Sequence, residues 1–207
     1  MSRLEIDNLT FRDHGPYSLE IVGRECLGLQ GASGSGKTLL LRAIADLDPH
    51  GGSLRLGDML CAEVPAPLWR KSVALLPAES SWWQDTVEEH FHDFSSLTAG
   101  SLKQLGFDFE VGDWQISRLS TGEKQRLAVL RLLENRPGAL LLDEPTASLD
   151  VANIEKVEQL LLEYSREQNA PLLWVSHDPE QLARVADRSL FMDENGKLTI
   201  LGGEDGG

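Results

Sequence analysis

Apolar and polar positions along the chain follow two periods, one typical of β-strands and one typical of α-helices. Alternating apolar residues at 4, 6, 9 and 11, and again at 19 and 21, predict two half-buried strands joined by a turn through His14-Gly15-Pro16. Uninterrupted apolar runs predict fully buried strands at 26–29, 73–77, 139–142 and 172–175. A strand at 189–192 is followed by Asn195-Gly196, which predicts a hairpin with 197–201.

Helical patterns separate most of these strands. Leu127, Leu130 and Leu133 recur on one face after residue 124, and a second apolar face runs from Ile154 to Tyr164. Shorter helices are predicted after Gly36 and over 179–186. Strands that alternate with helices indicate an α/β fold with a largely parallel sheet, to which the N- and C-terminal strands would add an antiparallel edge.

The stretch 79–118 interrupts this alternation. It lacks long β-branched runs and contains several aromatic residues and glycines, which predicts a small, mainly helical insertion. His90 and His92 lie two positions apart and would face different directions on a helix. That spacing favours solvated surface histidines over a metal site.

Composition limits the class of protein. The 207 residues, 41% apolar and 25% charged, are typical of one soluble globular domain. The formal net charge of −14 would repel nucleic-acid phosphates, so no nucleic-acid partner is expected. No window approaches about 18 consecutive apolar residues, and no secretion signal is expected at the N-terminus. Cys26 and Cys61 lack metal-ligand spacing and are expected to be reduced packing residues in a cytoplasmic protein.

Candidate chemistry begins at Gly31-Ala32-Ser33-Gly34-Ser35-Gly36-Lys37-Thr38, which fits the phosphate-loop sequence G-x-x-x-x-G-K-[ST]. The glycines allow a tight turn that aims backbone N–H groups at an anion, and the dipole of the following helix adds positive potential. Lys37 would reach the β- and γ-phosphates, and Thr38 would coordinate Mg²⁺. The strand before the motif and the helix after it favour nucleotide binding over a glycine-rich turn that binds nothing.

Two buried strands end in residues suited to phosphate chemistry. Asp143 and Glu144 follow strand 139–142, at the strand end where ligands bind in an open α/β sheet. Asp143 would orient the Mg²⁺ shell, and Glu144 would accept a proton from an attacking water. His177 follows strand 172–175, which favours contact with the γ-phosphate over a purely structural histidine.

The segment Leu119-Ser120-Thr121-Gly122-Glu123 precedes the helix at 124. Ser120 and Glu123 have the spacing of a capping box, and this alone explains them as a well-formed helix start. The Ser120 hydroxyl and the Gly122 N–H at a positive helix end would also suit a second phosphate site. A short turn, Ser148-Leu149-Asp150, follows Glu144 along the chain.

Taken in order, the motifs at 31–38, 119–123, 140–144 and 148–150, with His177, resemble the ATP-binding cassette (ABC) family over nearly the whole chain. The resemblance implies the fold of a P-loop NTPase. One nucleotide-binding domain, 1–207, would comprise a RecA-like lobe with an antiparallel β edge (1–78 and 136–207) and a small helical subdomain (79–135). Two cassettes would stack head to tail as a homodimer, or one would pair with a second cassette, around ATP and Mg²⁺.

The resemblance also distributes the site residues between the two chains. The catalytic candidates are Glu144 and His177, and the Mg²⁺ ligands are Thr38 and Asp143. Nucleotide contacts within one chain would come from Gly31, Ser33, Gly34, Ser35, Gly36, Lys37, Thr38, Leu39 and an adenine-stacking Phe11, with His14 and Tyr17 as the other aromatic candidates. Contacts from the other chain would come from Ser120, Thr121, Gly122, Glu123 and Asp150.

The chain departs from the family pattern after strand 73–77, where a Mg²⁺-binding glutamine is expected. Ala78 occupies that position, so either Glu79 substitutes for the glutamine or water completes the metal shell. Trp82 and Trp83 fall where the family receives a helix from an integral membrane permease. The resemblance therefore implies permease docking near Glu79, Trp82 and Trp83, and a peripheral location at the inner face of the cell membrane.

Other functions within the family remain as alternatives. A non-transport cassette would carry coiled-coil arms, a second cassette or a zinc-binding insertion, and the sequence contains none of these. Ala78 keeps a catalytically weak regulatory cassette as a second alternative. Segments 120–126, 166–169 and 173–178 are similar to the cytosolic subunit of a proposed iron exporter of the Fet type.

Overall fold

The apolar runs of the sequence form the strands of two sheets. The computed structural model describes residues 2–97 and 99–201. Its strands are β1 (Arg3–Phe11), β2 (His14–Val22), β3 (Cys26–Gly31), β4 (Gly51–Leu56), β5 (Met59–Leu60), β6 (Val73–Leu76), β7 (Ala139–Asp143), β8 (Leu172–Val175), β9 (Arg188–Met192) and β10 (Leu198–Leu201). Its α-helices are α1 (Lys37–Ile44), α2 (Ala66–Ser72), α3 (Ala99–Gln104), α4 (Thr121–Glu134), α5 (Val151–Gln168) and α6 (Pro179–Val185). No helix within these ranges has both the length and the apolar character needed to cross a membrane.

The central sheet has the strand order β10-β9-β3-β8-β7-β6. Strands β9, β3, β8, β7 and β6 run parallel, and β10 pairs with β9 in the antiparallel direction. The predicted parallel sheet, its C-terminal hairpin and its antiparallel edge are therefore confirmed.

The N-terminal strands do not extend this edge, contrary to the prediction. Strands β1 and β2 join β4 and β5 in a separate antiparallel sheet of order β2-β1-β4-β5. The alternation of β1 gives that sheet one apolar face, on which Leu4, Ile6 and Leu9 are buried. This face packs in one cluster with α1 and with Leu27 and Leu29 of β3, so the second sheet forms a layer of its own.

The β1–β2 turn also lies elsewhere than predicted. Arg12 and Asp13 form it, and His14 already pairs with Phe11 as the first residue of β2. Arg12 takes a positive φ of 49°, and the hairpin turn begins two residues before the predicted His14-Gly15-Pro16 turn.

The central strands are covered on both faces, as their uninterrupted apolar sequences predict. Along β7, Leu140 and Leu142 enter a cluster with α4, α5 and α6, and Leu141 enters the opposite cluster with α1. Each fully buried leucine contributes about 2 kcal/mol of favourable transfer free energy. The two clusters hold the parallel strands in register and fix the positions of their carboxyl ends.

Stretch 79–118 is less helical than predicted. Among its described residues it contains the six-residue α3 and four 3₁₀ turns, at Glu88–His90, Phe94–Ser96, Phe109–Asp113 and Ile116–Arg118. Its apolar side chains lack a helical period and instead join the cluster beneath α4 and α5. The stretch therefore consists mostly of irregular backbone packed on α4 and α5, in contrast to the predicted helical insertion.

His90 is buried, contrary to the prediction of a solvated surface histidine. Its Nε2 accepts hydrogen bonds from the backbone N–H groups of Trp83 and Gln84, at 2.8 and 2.9 Å. Because Nε2 is an acceptor, Nδ1 carries the proton and donates to the Thr86 carbonyl at 2.9 Å. The ring is thus a structural centre for the loop before Val87.

Both thiols are free, as predicted. Cys26 is fully buried, and burial raises the pKa of its thiol well above the ordinary range. Burial also raises the pKa of the less enclosed Cys61, to about 11. Both side chains are therefore neutral thiols near pH 7.

Replacing His90 with alanine should lower the free energy of unfolding by about 2 kcal/mol, because two backbone N–H groups lose their acceptor. His92→Ala is the matched control, since His92 is exposed and should change stability by less than about 0.5 kcal/mol. Urea denaturation followed by tryptophan fluorescence measures both. Equal midpoints for the two variants would contradict the structural role of His90.

Candidate functional site

An open cleft of about 480 Å³ lies at the carboxyl ends of β3, β7 and β8. Since neighbouring parallel strands end at one edge of the sheet, residues more than 100 positions apart converge here. The cleft is lined by Gly31, Ser33, Gly34, Gly36, Lys37, Thr38, Leu39, Ala78, Asp143, Glu144, Val175 and His177. The within-chain candidates that do not line it are Ser35, Phe11 and Glu79.

The phosphate loop has the backbone geometry that its glycines allow. Gly34 and Gly36 have φ values of 81° and 105°, which L side chains rarely adopt, and α1 begins directly after Gly36. Ser35 is buried between them, and its hydroxyl has no hydrogen-bond partner in the described part of the chain. A buried hydroxyl without a partner is costly, so the protein alone does not satisfy every polar group of this loop. The loop therefore fits a phosphate group.

Lys37 supplies the positive charge of the cleft. Its Nζ donates to the backbone carbonyls of Gly31 and Ala32, both at 2.8 Å. Burial lowers the pKa of Lys37, while the nearby Glu144 and Asp143 carboxylates oppose that shift. The ammonium group is thus held above the loop by weak neutral acceptors, which a phosphate would readily replace.

Thr38 and Asp143 form the oxygen cluster of the site. Thr38 Oγ1 donates to Asp143 Oδ2 at 2.7 Å, and the Asp143 carboxylate is almost fully buried. Hydroxyl and carboxylate oxygens are the hard ligands that Mg²⁺ prefers. These two side chains therefore fit a magnesium ion bound between the phosphate loop and β7.

Glu144 and His177 form a hydrogen-bonded pair across the cleft. His177 Nδ1 lies 2.9 Å from Glu144 Oε2, and their side chains are 75% and 19% exposed. The Glu144 backbone has a positive φ of 49°, while its N–H donates to the Val175 carbonyl at 3.1 Å. Left-handed backbone at a non-glycine residue is strained and occurs preferentially at functional sites. The pair can therefore hold a carboxylate base beside a phosphate.

Ala78 faces the cleft from the end of β6, and the exposed Glu79 does not line it. Glu79 is therefore not among the residues that surround Thr38 and Asp143 in the cleft. Completion of a metal shell by water at this position stays a prediction.

The segment expected to contact nucleotide from the other chain does not line the cleft of its own chain. Ser120 caps α4, and the predicted capping box with Glu123 is confirmed. Glu123 Oε2 accepts from the Ser120 N–H and hydroxyl, at 2.8 and 2.7 Å, and these bonds hold the pKa of Glu123 low. Asp150 likewise caps α5 by accepting from the Asn153 N–H, which lowers its pKa.

Two buried glutamine amides that the sequence pattern does not predict contact the residues after β7. Gln125 Nε2 in α4 donates to the Pro145 carbonyl at 3.2 Å. Gln181 in α6 donates to Thr146 Oγ1 at 2.7 Å and to Glu158 Oε1 at 2.8 Å. No signal in the sequence distinguishes these glutamines, because glutamine on a helix is ordinarily exposed.

Phe11 is only 4% exposed and packs in the core, so it does not offer a face to an adenine ring. The structure corrects this choice, because β1 alternates and Phe11 lies on its inward face. His14 stacks on the Phe11 ring with centroids 5.3 Å apart, and it is half-buried. A Cβ added to Gly36 would lie 3.0 Å from the His14 ring, which places that ring directly beside the phosphate loop.

Comparison with known proteins gives one consistent result. A family model described as "ABC transporter" matches residues 15–147. "Aliphatic sulfonates import ATP-binding protein SsuB 2" of Pseudomonas savastanoi pv. phaseolicola is 34% identical over 184 residues, which cover 87% of this chain and 65% of that protein. SsuB of Escherichia coli O1:K1 / APEC is 31% identical over 195 residues, covering 88% and 71%. The chain thus spans about two thirds of the length of these relatives.

Solved structures agree on the fold. The dimeric post-hydrolysis structure of the ATP-binding cassette MJ0796 bound to ADP and Pi matches with a TM-score of 0.80 at 22% identity, covering 97% of this chain and 100% of that chain. A bacterial Atm1-family ABC exporter with ATP bound also matches with a TM-score of 0.80, at 20% identity, covering 94% of this chain and 38% of that one.

Proposed function

The chain belongs to the ABC transporter family, and from this membership we propose that it is an ATP-binding and ATP-hydrolysing subunit that powers a separate transmembrane subunit. The observation that carries the proposal is the convergence of Lys37, Thr38, Asp143, Glu144 and His177 on one cleft. Such a subunit would work in the cytoplasm, bound to the inner face of the cell membrane.

Each residue of the cleft has a distinct part in this proposal. The N–H groups of the loop bind phosphate oxygens, and Lys37 leaves its backbone acceptors to neutralise the terminal phosphates. Thr38 and Asp143 hold Mg²⁺, which supplies positive charge to the phosphate oxygens. Glu144 accepts a proton from the attacking water, and His177 holds that carboxylate in place.

The candidate nucleotide-binding residues that lie outside the cleft support assembly of two chains. Ser120, Thr121, Gly122, Glu123 and Asp150 do not line the cleft of their own chain, and a twofold pair would bring them to the nucleotide of a partner copy. The division into a lobe formed by 1–78 and 136–207 and a subdomain formed by 79–135 would separate the two halves of each site. ATP would then join the two chains, and its hydrolysis would release them.

Replacing Glu144 with glutamine should lower ATP turnover by roughly 10²-fold and increase the ATP-bound dimer, because the proton acceptor is lost while the nucleotide contacts remain. Steady-state phosphate release and light scattering with and without ATP measure the two effects. Glu110→Gln, at an exposed carboxylate outside the cleft, is the control. A dimer fraction of the Glu144→Gln variant that does not respond to ATP would contradict the paired site.

We also propose that His14, in place of Phe11, stacks on the adenine ring. Phe11 supports one face of the imidazole, and the turn at Gly196 packs beside it, where Tyr17 Oη donates to the Gly196 carbonyl at 2.6 Å. The His14 ring is thus fixed in orientation next to Gly36 and suited to stack on a planar base.

His14→Ala should weaken ATP binding about 5-fold, the value of one stacking contact, and leave inorganic tripolyphosphate binding unchanged. Titration calorimetry with each ligand in the presence of Mg²⁺ measures the difference. Lys37→Ala is the reference, because it should abolish binding of both ligands. An equal loss for ATP and tripolyphosphate in His14→Ala would place His14 at the phosphates and reject the stacking role.

For the permease we propose docking at a groove beside Glu79, lined by Trp83, His90, Ala128, Arg131 and Leu132. Trp82 is partly buried against the core, whereas Trp83 is 67% exposed. The Arg131 guanidinium lies over both indole rings, at 4.4 and 5.1 Å from their centroids. The exposed Trp83 indole packs against the Arg131 guanidinium, and tryptophan and arginine are the side chains most enriched in binding hot spots.

A photoreactive amino acid at position 83 should crosslink in intact cells to an integral membrane protein. The same label at Ile200, which is 63% exposed on β10, is the matched control and should not. Mass spectrometry of the crosslinked bands identifies the products. Equal labelling of a membrane protein from both positions, or of none from position 83, would reject this groove.

The similarity to an iron exporter of the Fet type stays a prediction.

A further inference from the structure

Three side chains of ligand type meet at the end of α1 that points away from the phosphate loop. They are Asp46, which follows α1, His50, which precedes β4, and Cys61, which begins the 3₁₀ turn after β5. One carboxylate oxygen, one ring nitrogen and the sulfur all lie within 4.8 Å of one another. None of the three lines the nucleotide cleft.

The separations are close to those of ligands around one ion. His50 Nε2 lies 3.5 Å from Asp46 Oδ1, which is long for a hydrogen bond. Nitrogen and oxygen ligands about 2.0–2.1 Å from a tetrahedral zinc ion stand about 3.3 Å apart. The sulfur lies within 4.8 Å of the other two atoms and would approach them by up to about an ångström on binding zinc.

His50 is poorly satisfied by the protein alone. Its side chain is 13% exposed, and Nδ1 is buried without a hydrogen-bond partner in the described part of the chain. The nitrogen that faces Asp46 is Nε2, and its 3.5 Å contact with Oδ1 is too long for a good hydrogen bond. Neither ring nitrogen is therefore well satisfied by the protein, and Nε2 is the one placed to bind an ion together with Asp46.

Asp46 has a backbone conformation that glycine would adopt with less strain. Its φ is 54°, in the left-handed region that glycine adopts freely at the end of a helix. Arg70 Nε donates to the Asp46 carbonyl at 2.9 Å, and Arg70 Nη2 lies 3.7 Å from Oδ2. Arg70 thus anchors the Asp46 backbone and lies at ion-pair distance from its outer carboxylate oxygen, and Oδ1 is left facing His50.

We propose that Asp46, His50 and Cys61 bind one zinc ion, with water as the fourth ligand. Thiolate, imidazole and carboxylate together are the donor set that Zn²⁺ takes, and a helix carboxyl end favours a cation. On binding, the Cys61 thiol releases its proton to solvent as the sulfur–zinc bond forms. The ion would join the end of α1 to the sheet formed by β4 and β5, independently of nucleotide.

Cobalt(II) and zinc(II) titrations of the full chain test the site, without nucleotide and in excess Mg²⁺ to occupy other carboxylates. Cobalt should give a thiolate-to-metal charge-transfer band at one equivalent, which zinc abolishes. His50→Ala and Cys61→Ser should each weaken zinc binding by at least about 100-fold and remove the zinc-induced rise in Tm.

His92→Ala is the matched control, because it removes an exposed histidine remote in sequence from the three ligands and should bind zinc as the parent does. Cobalt binding without a charge-transfer band in the parent chain would overturn the proposal even if a variant failed to fold. Equal zinc affinity in folded Cys61→Ser would do the same, since it would reduce the metal to weak binding by an acidic surface.

Discussion

The whole cleft depends on one constraint, which is that parallel strands of the central sheet end at the same edge. The hydrogen bond from Thr38 to Asp143 joins the segment that follows β3 to the end of β7. Strands β3 and β7 are separated in the sheet by β8, and all three are parallel and covered on both faces. Their carboxyl ends therefore stop at one edge, where a phosphate loop, an acidic pair and a histidine meet. Loss of burial on either face would cost about 2 kcal/mol for each leucine and would also release the strand register on which these contacts depend.

The sequence was sufficient for this part of the molecule because burial and chemistry are both local signals. An unbroken apolar run predicts a strand that is buried on both faces, and the residue that follows the run must lie at the end of that strand. The positions of Asp143 and His177 at strand ends therefore follow from the sequence alone. Prediction was wrong where the partner was not local. His90 is buried by backbone N–H groups of a preceding loop, and Phe11 is turned inward by a second sheet whose existence alternation alone did not reveal.

The proposed zinc site likewise could not be predicted from local sequence signals. Asp46, His50 and Cys61 have no recognised metal-binding spacing, and Cys61 was expected only to pack. Their proximity arises because α1 ends beside the β4–β5 hairpin, which returns the chain to the same point. A motif search detects ligands that share one element, whereas this cluster exists only once the second sheet has packed against α1.

Helix α1 connects the two proposed sites, and its length determines how they can influence each other. Its eight residues span about 12 Å, with phosphate expected at the positive end and a cation at the negative end. Both charges complement the same dipole, so each stabilises the helix. That separation exceeds the Debye length of about 8 Å at physiological ionic strength, so direct attraction between the bound ions through solvent is weak. The direct mechanical route between metal and nucleotide is therefore the position of α1 itself.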